Sequence, residues 1–196
     1  MDEGVINVAR VGLTALQNLG FAVLVGALLS DAWLKRGPSQ WQAEITAALA
    51  NAFRVAAIAA LSASVFYFWI HCAQMAEVPL DEAWPAVLTM LRETEFGHAW
   101  AVCTVCMVGV AALAFPSWGA QPRGLRAALW LALGGAALAR SHGGHPVDAG
   151  AFSLPVWADW VHLLAISTWV GLVMVAGCIV MPRIVAAAPD GRSLSG

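Results

Sequence analysis

Residues 156–181 read VWADWVHLLAISTWVGLVMVAGCIVM, an apolar run carrying one aspartate and one histidine. A helix rises about 1.5 Å per residue, so roughly 20 apolar residues cross the hydrocarbon layer of a bilayer. The run exceeds that length and predicts a transmembrane helix. Within it Asp159, His162, Ile166 and Trp169 fall at i, i+3, i+7 and i+10 and share one face. Ionisable groups at membrane depth are costly and are functional candidates by default. Two readings of the pair stand side by side: Asp159 accepts the second N–H of a metal-binding His162 and fixes its tautomer, or the pair only fastens one helix to another.

Working outward, four more apolar stretches occupy residues 5–29, 45–70, 98–115 and 125–139. Of the 196 residues 60% are hydrophobic and 11% charged, and the mean hydropathy is +0.73, far from the balance of a soluble domain. The chain therefore reads as an all-α polytopic membrane bundle of about five spans, one domain over residues 1–196. The fourth stretch is short and borrows Gly124 and the Arg140-Ser141 shoulder, while Gly134-Gly135 lets a neighbouring helix approach closely. The acidic start, Asp2 and Glu3, argues against a cleavable signal peptide and for a permanent first helix.

Orientation follows from the basic residues of the short loops. Lys35, Arg36, Arg123, Arg126, Arg183 and Arg192 fall on one side, against Arg92 and the helix-end Arg140 on the other. The N-terminus is expected outside and the C-terminus inside, which in a bacterial inner membrane means periplasm and cytoplasm. The acidic connection with Glu77, Asp81, Glu82, Glu93 and Glu95 then faces outward, as does Ser141-His142-Gly143-Gly144-His145-Pro146-Val147-Asp148.

With the spans so drawn, all five histidines lie at or near the outer face. Neutral imidazole is the commonest metal ligand, so His71, His98, His142, His145 and His162 are candidates. Interfacial solvation explains His71 or His98 equally well. His142-x-x-His145 has the spacing of a two-imidazole clip if helix continues through it, and Gly143-Gly144 favours a loop as strongly. Soft sulfur suits Cu(I), which leaves Cys72, Met75 and Cys103 as auxiliary ligands; Cys103-x-x-Cys106 inside an apolar span otherwise reads as packing. Trp84, Trp100, Trp157 and Trp160 outside, with Trp33, Trp41 and Trp118 inside, read as aromatic belts. Arg10 and Arg54 must snorkel or pair, and Gln17 and Asn18 are placed to bond a neighbouring helix. A net charge of −2 without a basic patch gives no sign of a nucleic-acid partner. No phosphate loop or Ser-His-Asp arrangement points to an enzyme.

These residues carry a family resemblance. Thr94-Glu95-Phe96-Gly97-His98-Ala99-Trp100 resembles the Thr-x-Phe-Gly-x-x-Trp start of a membrane span in the bacterial copper resistance protein D (CopD) family. Asp159-x-x-His162-x-x-Ala165-x-x-x-Trp169-x-Gly171 resembles its Asp-x-x-His…Trp-x-Gly helix, and Ser141-His142-Gly143-Gly144-His145 the segment before it. The resemblance implies an inner-membrane protein that takes copper from the periplasm toward the cytoplasm, working with a small periplasmic copper-binding partner. Two departures stand out. Family members usually have about eight spans, so residues 1–196 fit the N-terminal part of a longer bundle, with the polar residues 189–192 as an inner loop. The family's Trp-x-Gly-Gly is Trp169-Val170-Gly171-Leu172 here.

The expectation is an outward-facing copper site, with His162 as the deep ligand, Asp159 as its orienter and His142, His145 and His98 nearer the mouth. The alternative is a b-type haem electron-transfer protein with two histidines as axial ligands. Lipid surrounds the bundle in either case, and a homo-oligomer is left open.

Overall fold

The computed structural model describes residues 3–34, 39–115, 118 and 123–187. Lys35, Arg36, Arg192 and the segment 189–192 lie outside the described residues. The elements are α1 (Glu3–Leu34), α2 (Gln40–Met75), a 3-10 turn (Leu80–Glu82), α3 (Trp84–Glu93), α4 (Glu95–Leu113), α5 (Arg123–His142), a second 3-10 turn (His145–Ala149), α6 (Leu154–Val175), a π turn (Ala176–Val180) and α7 (Met181–Ala187). Among the described residues there is no strand. Four helices are long and apolar enough to cross a membrane: Gly4–Leu34, Gln40–Met75, Glu95–Leu113 and Leu154–Ala186. The protein is an all-α membrane bundle.

Helix α5 is not among those four, because Arg123, Arg126 and Arg140 dilute its apolar character. Its 20 residues nevertheless give about 30 Å of helix, and its contacts run the length of the bundle. Near one end Arg126 pairs with Asp31 of α1, and near the other Arg140 bonds Asn18 of the same helix. Helices α1 and α2 are likewise antiparallel, with Gln42 Nε2 donating to the Leu34 carbonyl at one end and Arg10 over the Tyr67 ring at the other. Helices α2 and α4 follow suit, Arg54 meeting Ala114 and Ser64 meeting Trp100. By contrast α1 and α6 are parallel, Asn18 lying by Leu163 and Gly26 by Gly171. That is the direction α6 must take if α5 runs back across the bundle.

Two ends result. The starts of α1, α4 and α6 and the ends of α2 and α5 form what is called here the histidine end; the opposite end is the far end. Helix α2 begins earlier than the apolar pattern starts, because Ser39 caps it by accepting from the Gln42 N–H at 3.2 Å. The far end is closed by charge pairing. Asp31 is buried on α1, and an uncompensated carboxylate there would be costly; Arg126 supplies its partner. Arg54 donates Nε–H to the Ala114 carbonyl at 2.9 Å, satisfying an orphan acceptor just past the end of α4 instead of snorkelling. Trp118 is core rather than belt, buried on Phe53 with ring centroids 4.6 Å apart. The π turn ends two residues before Pro182, whose ring cannot join a regular ladder; Arg183 bonds back to the Ile179 carbonyl there at 2.9 Å.

The core runs through α1, α2, α4, α5 and α6 and includes Phe21, Leu28, Leu49, Phe53, Val110 and Leu133. Without water between helices, close backbone approach replaces much of the hydrophobic drive of soluble folding. One such close approach joins the first long helix to the last. A Cβ on Gly26 would land on the Gly171 backbone, and one on Gly171 on the Ala22 carbonyl. Gly20 packs similarly on α2, where an added Cβ would lie 2.9 Å from that of Ala60.

Gly26→Val and Gly171→Val should each destabilise the detergent-solubilised protein by about 1–3 kcal/mol, the usual range for overpacking. Gly109→Ala, which adds a methyl into open space, should leave the thermal midpoint unchanged or slightly raised. Equal midpoints for all three variants would show that α1 and α6 do not meet at these glycines.

Candidate functional site

The Thr94–Trp100 motif builds one wall of the histidine end. Thr94 caps α4, its hydroxyl accepting from the Gly97 N–H at 2.9 Å and donating to the Met90 carbonyl of α3 at 2.7 Å. Gly97 is required because a Cβ there would strike that same carbonyl. Phe96 lies 6.0 Å from Phe68 of α2, ring centroid to centroid, and Trp100 stacks on Phe68 at 4.0 Å. The Trp100 indole N–H also reaches Ser64 Oγ at 3.1 Å. Trp100 is thus a packing residue rather than part of a belt. So is Trp160, whose N–H bonds the Gly134 carbonyl at 3.0 Å. Helix α3, amphipathic and seated through Val87 on Phe68 and Cys72, lies inside what reads from sequence as one long acidic connection.

This wall presents His98 and Glu95, both exposed, to the last turn of α5. A cavity of about 470 Å³ lies between them, lined by Glu95, His98, Val102, Leu138, His142 and Phe152 among others. His142 Nδ1 lies 2.9 Å from the Leu138 carbonyl. A carbonyl can only accept, so Nδ1 carries the proton and Nε2 of the neutral ring keeps its lone pair. This is the arrangement by which backbone fixes the tautomer of a metal-binding imidazole.

The remaining candidates are spread out. Helix α5 stops at His142, Gly143 turns back to the Arg140 carbonyl at 3.0 Å, and His145 opens a separate 3-10 turn. No single-helix clip joins His142 to His145, whose side chain lies outside the described residues. His71 is one turn inside α2, its ring centroid 6.0 Å from Tyr67 and 4.8 Å from Phe96. Cys72 is fully buried in the Phe68–Val87 cluster, and Met75 is exposed beyond it. Cys103 is buried and lines a polar cavity with Arg140. His162 lies on the outward surface of α6 with Ile166 and Trp169, the last 68% exposed. Asp159 is half-buried and within electrostatic reach of Arg140; no hydrogen bond joins it to His162 among the described residues. Among the described residues no three His, Cys, Asp or Glu side chains are grouped closely enough to hold a metal ion. What the structure does bring together is His98 and His142, with Glu95, which the sequence offers only as one acid of an outward-facing connection.

An all-α membrane bundle with histidines around an apolar cavity at one end is the class that fold and site define. The chain belongs to the copper resistance protein D-like family: residues 2–151 match the family's N-terminal domain. The match supports a role in copper resistance or handling, and it ends before α6, so Asp159 and His162 lie outside it. Neither curated proteins nor solved structures gave a match.

The His142 tautomer can be checked directly. Nitrogen-15 NMR of the histidine-labelled protein, at a pH where the ring is neutral, should give a protonated Nδ1 and a bare Nε2 for His142. A protonated Nε2 would remove the ligand geometry described above.

Proposed function

We propose that the protein captures copper at the histidine end of its bundle, that this end faces the periplasm across a bacterial inner membrane, and that the ion passes from there toward the cytoplasm. The single observation that carries the reading is the His98/His142 cavity, in which the backbone holds one imidazole with its Nε2 free. Glu95 adds a carboxylate at the rim, which draws a cation in without itself demanding a closed coordination shell. Two imidazoles without a third fixed ligand make an incomplete site, and transfer needs binding strong enough to capture yet loose enough to release. His162, about 12 Å along α6 from Leu154, is the second position in this reading; it lies on the outward surface of α6, and Asp159 one turn away would have to swing toward it to act as its orienting partner. The orientation rests on the basic residues of the short loops in the sequence, Lys35, Arg36, Arg123, Arg126, Arg183 and Arg192 against Arg92 and the helix-end Arg140. A small periplasmic copper-binding protein would deliver the ion to the Glu95 rim.

The same cavity favours one second reading. Its lining is mostly apolar with a histidine on each of two facing helices, which is what a b-type haem with His98 and His142 as axial ligands would use.

Copper titration of the purified protein separates these readings from simple interfacial histidines. His98→Ala/His142→Ala should lower copper affinity at least tenfold, about the smallest loss usual even for an outer partner of a metal ligand, with the helical fold intact. His162→Ala should remove a second, separate binding event. Unchanged affinity in the folded double variant would overturn the copper reading, and a strong Soret band in the protein as isolated would replace it with haem.

Reporter fusions test the orientation. A fusion at Ala149 should be periplasmic and one at Gly119 cytoplasmic; the reverse pattern would put the histidine end in the cytoplasm.

A further inference from the structure

The histidine end contains a second cavity, distinct from the His98/His142 mouth, whose chemistry is cationic. Arg10, Thr14, Gln17 and Asn18 form a polar stripe on α1 at i, i+4, i+7 and i+8. A polar stripe at membrane depth must face protein or a water-filled space rather than lipid. Part of it borders a cavity of about 180 Å³ whose lining includes Thr14, Gln17, Ser64, Tyr67, Cys103 and Arg140. Four helices therefore supply polar side chains to one space.

Arg140 dominates that space. Its guanidinium lies over the Phe21 ring at 5.9 Å, and Nη2 bonds the Asn18 amide oxygen. Nη1 is buried and has no partner among the described residues. A guanidinium has five N–H donors and no acceptor, and a buried charge without hydrogen bonds is costly. Asp159 offers long-range compensation from α6 but makes no hydrogen bond to it. A second arginine, Arg10, does not line the cavity but lies 5.6 Å from the ring of Tyr67, which does; its buried Nε also has no partner among the described residues. No described residue that lines the cavity is acidic.

We propose that this cavity is a binding site for a small monovalent anion, a halide or a small carboxylate, drawn by the charge of the Arg140 guanidinium and held by the hydroxyls of Thr14 and Tyr67. Ser64 already accepts from Trp100 and keeps its own O–H to donate. The site goes beyond the copper reading and does not depend on it. The Arg140 guanidinium repels cations from this wall and no described lining residue is acidic, so the cavity disfavours copper unless an anion is present.

The test uses copper-free protein in detergent at fixed ionic strength, with gluconate exchanged stepwise for chloride in one series and for formate in another. A ligand that binds only the folded state raises the thermal midpoint by mass action. The midpoint should rise and saturate with chloride, formate or both, and which of them acts identifies halide or carboxylate as the ligand. Arg140→Gln should abolish the dependence. Thr14→Val/Tyr67→Phe keeps every charge and should shift half-saturation to at least about fivefold higher anion, the factor carried by one lost hydrogen bond of ordinary strength. If Arg140→Gln does not fold, the double variant decides. Indifference of the wild type to both anions, or an unchanged half-saturation in the double variant, would overturn the site. Because no copper is present, either failure leaves the copper reading untouched.

Discussion

The bundle depends on one close approach, the contact of Gly26 on α1 with Gly171 on α6. Each helix crosses the other where neither has a side chain, and a single methyl on either would meet backbone. In lipid there is little hydrophobic gain in bringing two apolar helices together, so surface fit and small residues decide which helices associate. This contact joins the first long helix to the last and makes them parallel. Everything between them is then constrained: α2, α4 and α5 must traverse alternately, and the end of α5 must arrive beside the starts of α4 and α6. The His98/His142 cavity is a consequence of that closure.

Charges inside the bundle follow the same logic. Arg126 and Asp31 neutralise one another near the far end, and Arg54 spends its N–H on a carbonyl beyond the end of α4. Arg140 is different, since among the described residues its one hydrogen bond goes to Asn18 and it lines a cavity. Arg10 and Arg140, both toward the histidine end, each keep a buried nitrogen without a partner among the described residues. The two cavities at the histidine end have opposite character, one offering lone pairs and a carboxylate to a metal ion, the other offering N–H and O–H donors to an anion.

Hydropathy alone was enough to place the long helices, because 20-residue apolar runs have few other uses. It misjudged their ends, since caps such as Ser39 and Thr94 extend helix past the hydrocarbon. Helix α3 was missed because ten residues with one apolar face leave little trace among acids. The Thr94–Trp100 motif was legible as a pattern, yet the reason for its Gly97, the Met90 carbonyl of the preceding helix, is a tertiary fact. For the site, His98 and His142 were both legible as candidates, but their sharing a cavity depends on α4 and α5 being antiparallel neighbours. The spacing of Asp159, His162 and Trp169 was legible as a helical period; the structure puts His162 and Trp169 on the outward surface and leaves Asp159 half-buried within reach of Arg140. Which way it points could not be read from spacing: periodicity gives a stripe and says nothing about whether that stripe turns inward. Trp100, Trp118 and Trp160 pack helices because a nearby Ser64, Phe53 or Gly134 carbonyl receives them, information that belt statistics do not contain.

Copper K-edge X-ray absorption on the copper-loaded protein tests the central claim most directly, because it reads the ligands themselves. Capture at the His98/His142 cavity predicts an oxygen and nitrogen shell with the multiple-scattering pattern of about two imidazoles, lost when both histidines are replaced. A shell dominated by sulfur, or an imidazole pattern that survives His98→Ala/His142→Ala, would contradict it.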